Sequence, residues 1–363
     1  MFRVSTRSAV LVAALLFLAV VSPALAAPIP PQLDLAADLK YLPGNTNLFF
    51  VIRMDHLLAS DSFKKLRKEI PMMEKDFDQG FRKEFGFEIS NVELMVFGGH
   101  PQEGEPTGVV HLKTAIKAET VVNARKEPRY PGDKGTTFKE EKVGTLTLYV
   151  PDQEHRPALC MVNDKTMLVG RSKDLKEVLE RNKPVDLSIG MLAALKAAEP
   201  ATVTVVMDAK VLTIGKPPML PGVDFAKVID GTTGLSLTLK VGSEVTLRGV
   251  AVCKDGQAAA DVKKQAEALR DYAVKAMQAG PPNVVPKEVV ELPGKIAIAA
   301  KGSLCEATLT VKDDAVIGLI KAWIVPSGSK PDNVKPTETK PIEKKPPVDP
   351  KSPSEKPPVE KKP

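Results

Sequence analysis

The sequence predicts an α+β fold: two similar halves of antiparallel strands in hairpins, with helices packed on one face, followed by a disordered C-terminal tail. Three observations lead there. Strand-like apolar runs come in consecutive pairs, which suits antiparallel sheets rather than alternating strand–helix–strand units. One element order, an opening strand and then hairpin plus helix twice, runs through residues 28–184 and again through 185–325. From residue 326 onward apolar residues almost vanish.

Residues 1–27 read as a secretory signal. Arg3 and Arg7 precede a 13-residue apolar stretch (9–21), and Pro23 then leads into the small-residue site Ala24-Leu25-Ala26. That stretch is too short to cross a bilayer core of about 30 Å as a helix. The first cysteine is Cys160, so no lipid-modifiable cysteine follows the cleavage site. The mature chain is expected to be exported, periplasmic or extracellular, and not anchored.

The first half is organised around residues 41–66. Pro43-Gly44-Asn45 leads into the apolar run 47–53, an uninterrupted strand of the kind buried on both faces. Ser60 or Ser62 is placed to cap the next turn, and Pro71 suits a first helical position. Met73, Phe77, Phe81 and Phe85 recur every four residues, a stripe on one helical face that Gly86 terminates. The stripe suits packing on a sheet, or the lining of an apolar groove. Residues 91–97 and 108–113 read as paired strands, 115–125 as a helix and 129–136 as a loop. Leu146, Leu148 and Val150 alternate with Thr145, Thr147 and Tyr149, marking a strand with one wet face. Residues 158–162 and 166–169 form a hairpin, and Ser172 is placed to cap a short helix.

The second half begins with a weaker copy of the opening block, residues 199–212: proline, apolar run, Met207-Asp208 and leucine. Strands 235–240 and 244–252 turn at Val241-Gly242-Ser243, with Leu235, Leu237 and Leu239 inward and Ser236, Thr238 and Lys240 outward. A long helix, 258–278, stops at Gly280-Pro281-Pro282. Strands 295–300 and 306–312 and a helix over 314–324 complete the repeat.

In the tail, residues 326–363, eleven prolines stand among nine lysines and six acids, too little apolar surface to offset the entropy of folding. Stiff polyproline II suits a tether across an envelope layer, or a contact with an envelope protein or wall polymer. The same composition suits a solubilising segment.

The net charge of +6 is concentrated at the ends: two units in the signal and three in the tail leave the folded part near +1. With one Trp and four Tyr, this excludes the basic, aromatic-studded face that nucleic acid requires. The three cysteines, Cys160, Cys253 and Cys305, each sit in a strand-like run where a buried free thiol is ordinary; one disulfide of undetermined pairing after export is the alternative.

No catalytic, cofactor-binding or metal-ligating residue is assigned, and no cofactor is expected. The histidines His56, His100, His111 and His155 lack helical zinc spacing, and no Cys-x-x-Cys exists. The loop 98–105 gathers His100, Glu103 and Glu105, but exposed hairpin loops commonly carry such residues. Ser62-Phe63-Lys64-Lys65 matches S-x-x-K without its companion S-D-N and K-T-G elements.

The block Leu42-Pro43-Gly44-Asn45-Thr46, the strand 48–52, Leu57-Leu58 and Ser60 to Lys64-Lys65 resembles the start of predicted exported proteins of unknown function from Planctomycetes. The resemblance covers about 25 residues. It implies export and α+β repeats, and brings no site residues. The expectation is an exported, non-enzymatic envelope protein, a binding or scaffold module with a tether. The alternatives are a carrier of a lipid or other apolar ligand, and a hydrolase built from scattered residues such as His100 and His155.

Overall fold

The computed structural model describes residues 35–128, 134–154, 156–213, 220–279 and 287–324. The expected signal (1–27), the tail (326–363), His155, the Pro131-Gly132-Asp133 turn and the Gly280-Pro281-Pro282 stop lie outside the described residues, as do the side chains of Met73 and Phe77.

A short helix α1 (Leu35–Leu39) precedes β1 (Leu48–Arg53), which is followed by α2 (Met54–Ala59), α3 (Asp61–Glu69) and α4 (Pro71–Phe85). Next come β2 (Val92–Gly99), β3 (Thr107–Leu112), α5 (Ala118–Lys126), β4 (Phe138–Val143) and β5 (Leu146–Pro151). β6 (Ala158–Asn163), β7 (Thr166–Gly170) and α6 (Ser172–Arg181) end the first half. The second half holds α7 (Ile189–Ala197), β8 (Val203–Asp208), α8 (Phe225–Gly231), β9 (Thr232–Val241) and β10 (Glu244–Cys253). α9 (Gly256–Gln278), α10 (Lys287–Val290), β11 (Ala297–Lys301), β12 (Leu304–Lys312) and α11 (Asp313–Ile324) follow.

The described strands form one antiparallel sheet in the order β11-β12-β10-β9-β8-β1-β2-β3-β7-β6-β5-β4. β1 is hydrogen-bonded to β2 on one side and to β8 on the other, so the two halves share a continuous sheet. Outward from that seam, β1-β2-β3-β7-β6 matches β8-β9-β10-β12-β11 strand for strand, and the β4–β5 hairpin is the first half's addition. The offset that aligns Met54-Asp55 with Met207-Asp208 also aligns Val51 with Thr204, and those two residues face each other across the seam.

Local chemistry explains the helix ends. The Ser60 hydroxyl accepts from the Phe63 N–H at 3.3 Å, capping α3. Gly86 ends α4 at φ 75°, a conformation easiest for glycine. Asp255 caps α9 through the Ala258 N–H at 2.8 Å. Ser172 is the first residue of α6 and makes no cap bond.

Most of the helices gather on one face of the sheet. There α2, α4 and α5 cover the first half around Met54, Phe87, Val110 and Met167, while α9 and α10 cover the second around Val262, Leu237 and Leu292. The opposite face holds the largest core: Phe49, Val51, Val96, Leu148, Leu168 and Val206 lie beneath Leu175 of α6 and Met191 of α7.

Besides the missing Ser172 cap, the sequence reading needs three corrections. Ser236 and Thr238 do not face solvent; they are 1% and 2% exposed, because α7, a helix absent from the sequence reading, lies across β9. β4 (Phe138–Val143), just beyond the expected loop 129–136, is likewise a strand that the sequence reading does not contain. β1 is not buried on both faces: Phe49 and Val51 are buried, whereas Leu48, Phe50 and Ile52 are only partly covered.

Candidate functional site

That asymmetry of β1 extends across the seam. In antiparallel ladders directly opposed residues share a face, so the pairings assemble three apolar rows. One is Phe97–Phe50–Val205–Leu237, on β2, β1, β8 and β9. A second is Met95–Ile52–Val203–Leu239. In the third, Gly99–Leu48–Met207–Leu235, a glycine replaces the β2 side chain. Four strands about 4.8 Å apart and five residues at about 3.3 Å each make a floor of roughly 14 by 13 Å.

Only Leu235 and Leu237 in these rows are buried, whereas Leu48, Phe50, Ile52, Val203, Val205 and Met207 at the centre are partly covered. Phe97 and Met95 lean on the first-half core with Phe81 and Phe85. Val205 and Leu239 lean on the second-half core with Leu292 and Val289. Leu48, Phe50 and Val203 belong to none of the packed clusters among the described residues. Phe50 stacks on Phe97 with ring centroids 5.6 Å apart, and both rings keep an accessible surface. The floor is therefore an apolar strip between two helical walls.

One end of the strip is closed by a clasp between the halves. The Ser62 hydroxyl of α3 donates to the Gly242 carbonyl in the β9–β10 turn at 2.5 Å. Lys65 pairs with Asp313 at 3.3 Å and Asp314 at 2.5 Å at the start of α11. Phe63, Leu66 and Ile70 pack on Ile317 beneath these bonds. The Ser62 and Lys65 of the S-x-x-K match are thus both engaged in holding α3 to the second half.

The floor is braced from behind. Gly190 of α7 meets Gly234 of β9 backbone to backbone; a Cβ on Gly190 would stand 2.0 Å from the Thr233 carbonyl oxygen. Arg248 of β10 grips Glu306 of β12 through two hydrogen bonds of 2.7 Å and donates a third, 2.9 Å, to the Ala197 carbonyl at the end of α7. The Arg248 guanidinium holds the Glu306 carboxyl below the usual carboxylate range.

The polar candidates sit elsewhere. His100 lies in the β2–β3 loop, where its Nδ1 accepts from the Gln102 N–H at 3.3 Å. The loop is anchored to α6, since Arg171 bonds the Glu103 carbonyl and also Asp174, the latter at 2.7 Å. His111 on β3 pairs with Asp38 of α1 at 2.8 Å, and His56 lies 3.5 Å from Asp55. The described histidines thus have separate partners. No group of three or more His, Cys, Asp or Glu able to hold a metal occurs among the described residues. Cys160, Cys253 and Cys305 are free and buried, and burial pushes the Cys160 thiol up to about 11 and Cys305 to about 12.

No family model matches the chain, and no curated protein matches it. Among solved structures it is similar to crystal form III of TP0453, with a TM-score of 0.44 and 9% identity, covering 78% of this chain and 98% of that one. Crystal form IV gives 0.41 at 8% identity, covering 78% and 96%. Scores below 0.5 do not establish a shared fold.

The Met/Phe stripe of α4 packs where Phe81 and Phe85 can be seen. Their rings lie 4.6 Å apart, with Phe87 5.6 Å from Phe81, all against the first-half core. The central strands carry a group of partly accessible apolar residues, beside the exposed Ile189 and Leu192 of α7 and Tyr272 and Met277 of α9. Among the described residues, no helix is long and apolar enough to cross a membrane.

Proposed function

We propose that this chain is an exported, non-enzymatic binding module of the cell envelope, and that its ligand lies on the apolar floor over β2, β1, β8 and β9. One observation carries this reading: three adjacent apolar rows at the centre of the sheet remain partly accessible while the same strands are sealed on their other face. Leaving such a strip open sacrifices burial worth about 25 cal/mol per Å². A patch left open between helical walls is the ordinary form of an apolar ligand site.

The floor favours the carrier form of the module. Its length of about 13 Å along the strands suits a lipid acyl chain or a similarly slender apolar molecule. Met and Phe side chains at its edge supply adaptable, polarisable contacts. The Pro/Lys-rich tail fits a tether: deleting residues 326–363 is expected to release the protein from the envelope fraction.

Titration of the purified chain with a fluorescent acyl-chain probe tests the site. Saturable binding is expected, weakened at least tenfold by Phe50→Asp or Val205→Asp and unchanged by Leu192→Asp on the opposite face. Absence of binding, or equal loss in all three variants, overturns the assignment.

A further inference from the structure

The sheet ends in two edges of opposite character. β4 carries Lys139, Glu140, Glu141 and Lys142 in six residues, the charge that keeps an exposed edge from pairing. Glu141 is held further by Lys139 at 3.1 Å and by Lys176 at 2.5 Å. β11, at the other end, reads Ala297-Ile298-Ala299-Ala300-Lys301 and, among the described strands, is hydrogen-bonded to β12 alone. Four of these five residues are exposed, and only the last is charged.

We propose that β11 is a dimerisation edge, pairing antiparallel with the β11 of a second copy so that the sheet runs through both subunits. The strand is self-complementary about Ala299. Pairing Ala299 with its own copy puts Lys301 opposite Ala297 and Ile298 opposite Ala300, with no like charges opposed and only alanine and lysine on the outer face.

The helix above the edge fits the same dyad. α9 packs over β11 and β12 and runs antiparallel to β11: Gly256 lies by Gly302, and Arg270 donates to the Ile296 carbonyl at 3.1 Å. A dyad at Ala299, with strands about 4.8 Å apart, sets the two α9 axes roughly 10 Å apart, the spacing of packed helices. Lys263 and Glu267, on the same helical strip as Arg270, pair with each other at 3.1 Å.

Sedimentation equilibrium of the mature chain tests this, from about 1 to 200 µM, the range over which a small interface of this kind dissociates. A monomer–dimer equilibrium is expected. Ala299→Lys and Ala299→Glu, on the exposed side of the strand, are each expected to give monomer through like-charge repulsion at the dyad. Mixing the two variants is expected to restore a dimer containing one of each, which shows that both still fold. A wild-type monomer throughout, dimerisation unaffected by either variant, or no recovery on mixing overturns the proposal. Each outcome is independent of acyl-probe binding at the floor.

Discussion

Phe49 lies directly opposite Val206 across the seam between the halves, and both are 0% exposed. One residue along, Phe50 opposes Val205, and both are partly exposed on the other face. Neighbouring positions in one ladder therefore serve different ends. Phe49→Ala empties a sealed core site and is expected to lower stability by about 3–5 kcal/mol. Phe50→Ala removes less buried surface and is expected to cost about 1 kcal/mol while weakening the acyl probe. Chemical denaturation of both variants checks the contrast. Equal losses would mean that the floor is packed as tightly as the core.

The seam explains which features were legible in the sequence. Paired apolar runs identified most hairpins, since hydrogen-bonded neighbours in a meander are also neighbours in sequence. β4 was missed because Lys139–Lys142 reads as solvated loop, the charges of an edge strand. α7 was missed because IGMLAALKA is apolar all round: Ile189 is 88% exposed while Met191 and Ala194 are buried. Its one local signal is Ser188, which accepts from the Met191 N–H at 3.2 Å as the helix cap. The floor could not be read at all. An unbroken run such as Leu48–Arg53 has the same pattern whether one face is sealed or both, and only the placement of the helices decides.

Gly190 and Gly234 are where α7 touches the back of the sheet. A methyl at either glycine would press on backbone: 2.0 Å from the Thr233 oxygen for Gly190, and 2.2 Å from the Gly190 oxygen for Gly234. Neither contact can be relieved by a rotamer change. Gly190→Ala is expected to lift α7 and cost about 2–3 kcal/mol, the upper range for overpacking. Leu192→Ala, on the exposed side of the same helix, is expected to be nearly neutral. Thermal unfolding of the pair distinguishes the close crossing from general helix propensity.

Arg125 is a fully buried cation. It donates to the Pro157 carbonyl at 2.6 Å and pairs with Glu84 at 2.8 Å, and its guanidinium lies 5.4 Å from the Phe85 ring centroid. These bonds tie α4 and α5 to the strand entering β6. Arg125→Ala strands Glu84 and the carbonyl and is expected to cost about 3–5 kcal/mol, the range for breaking a buried pair by removing one partner. Arg125→Met keeps the packing volume and is expected to recover part of that loss. Recovery by Met would identify packing as a share of the arginine's role; no recovery would assign it to the polar bonds.

The Arg248–Glu306 pair predicts how the fold responds to acid. Its two bonds of 2.7 Å favour the ionised carboxylate and hold the Glu306 carboxyl below its ordinary value of 4.5. The unfolded chain therefore takes up the proton first as pH falls. The stabilisation is complete above the unfolded value and is lost as pH drops below about 4.5 through the lower folded value. Glu306 is 38% exposed at its side chain, so solvent screening reduces the effect. Glu306→Gln removes the titration and is expected to melt lower than wild type at pH 7, the two converging in acid as pH falls through the lowered folded value. Because Arg248 also holds the Ala197 carbonyl, Arg248→Ala is expected to lower stability at neutral and at acid pH and to expose α7 amides to hydrogen exchange. A constant melting difference between Glu306→Gln and wild type from pH 7 down through that acid range would mean that the carboxylate's charge contributes nothing to the fold.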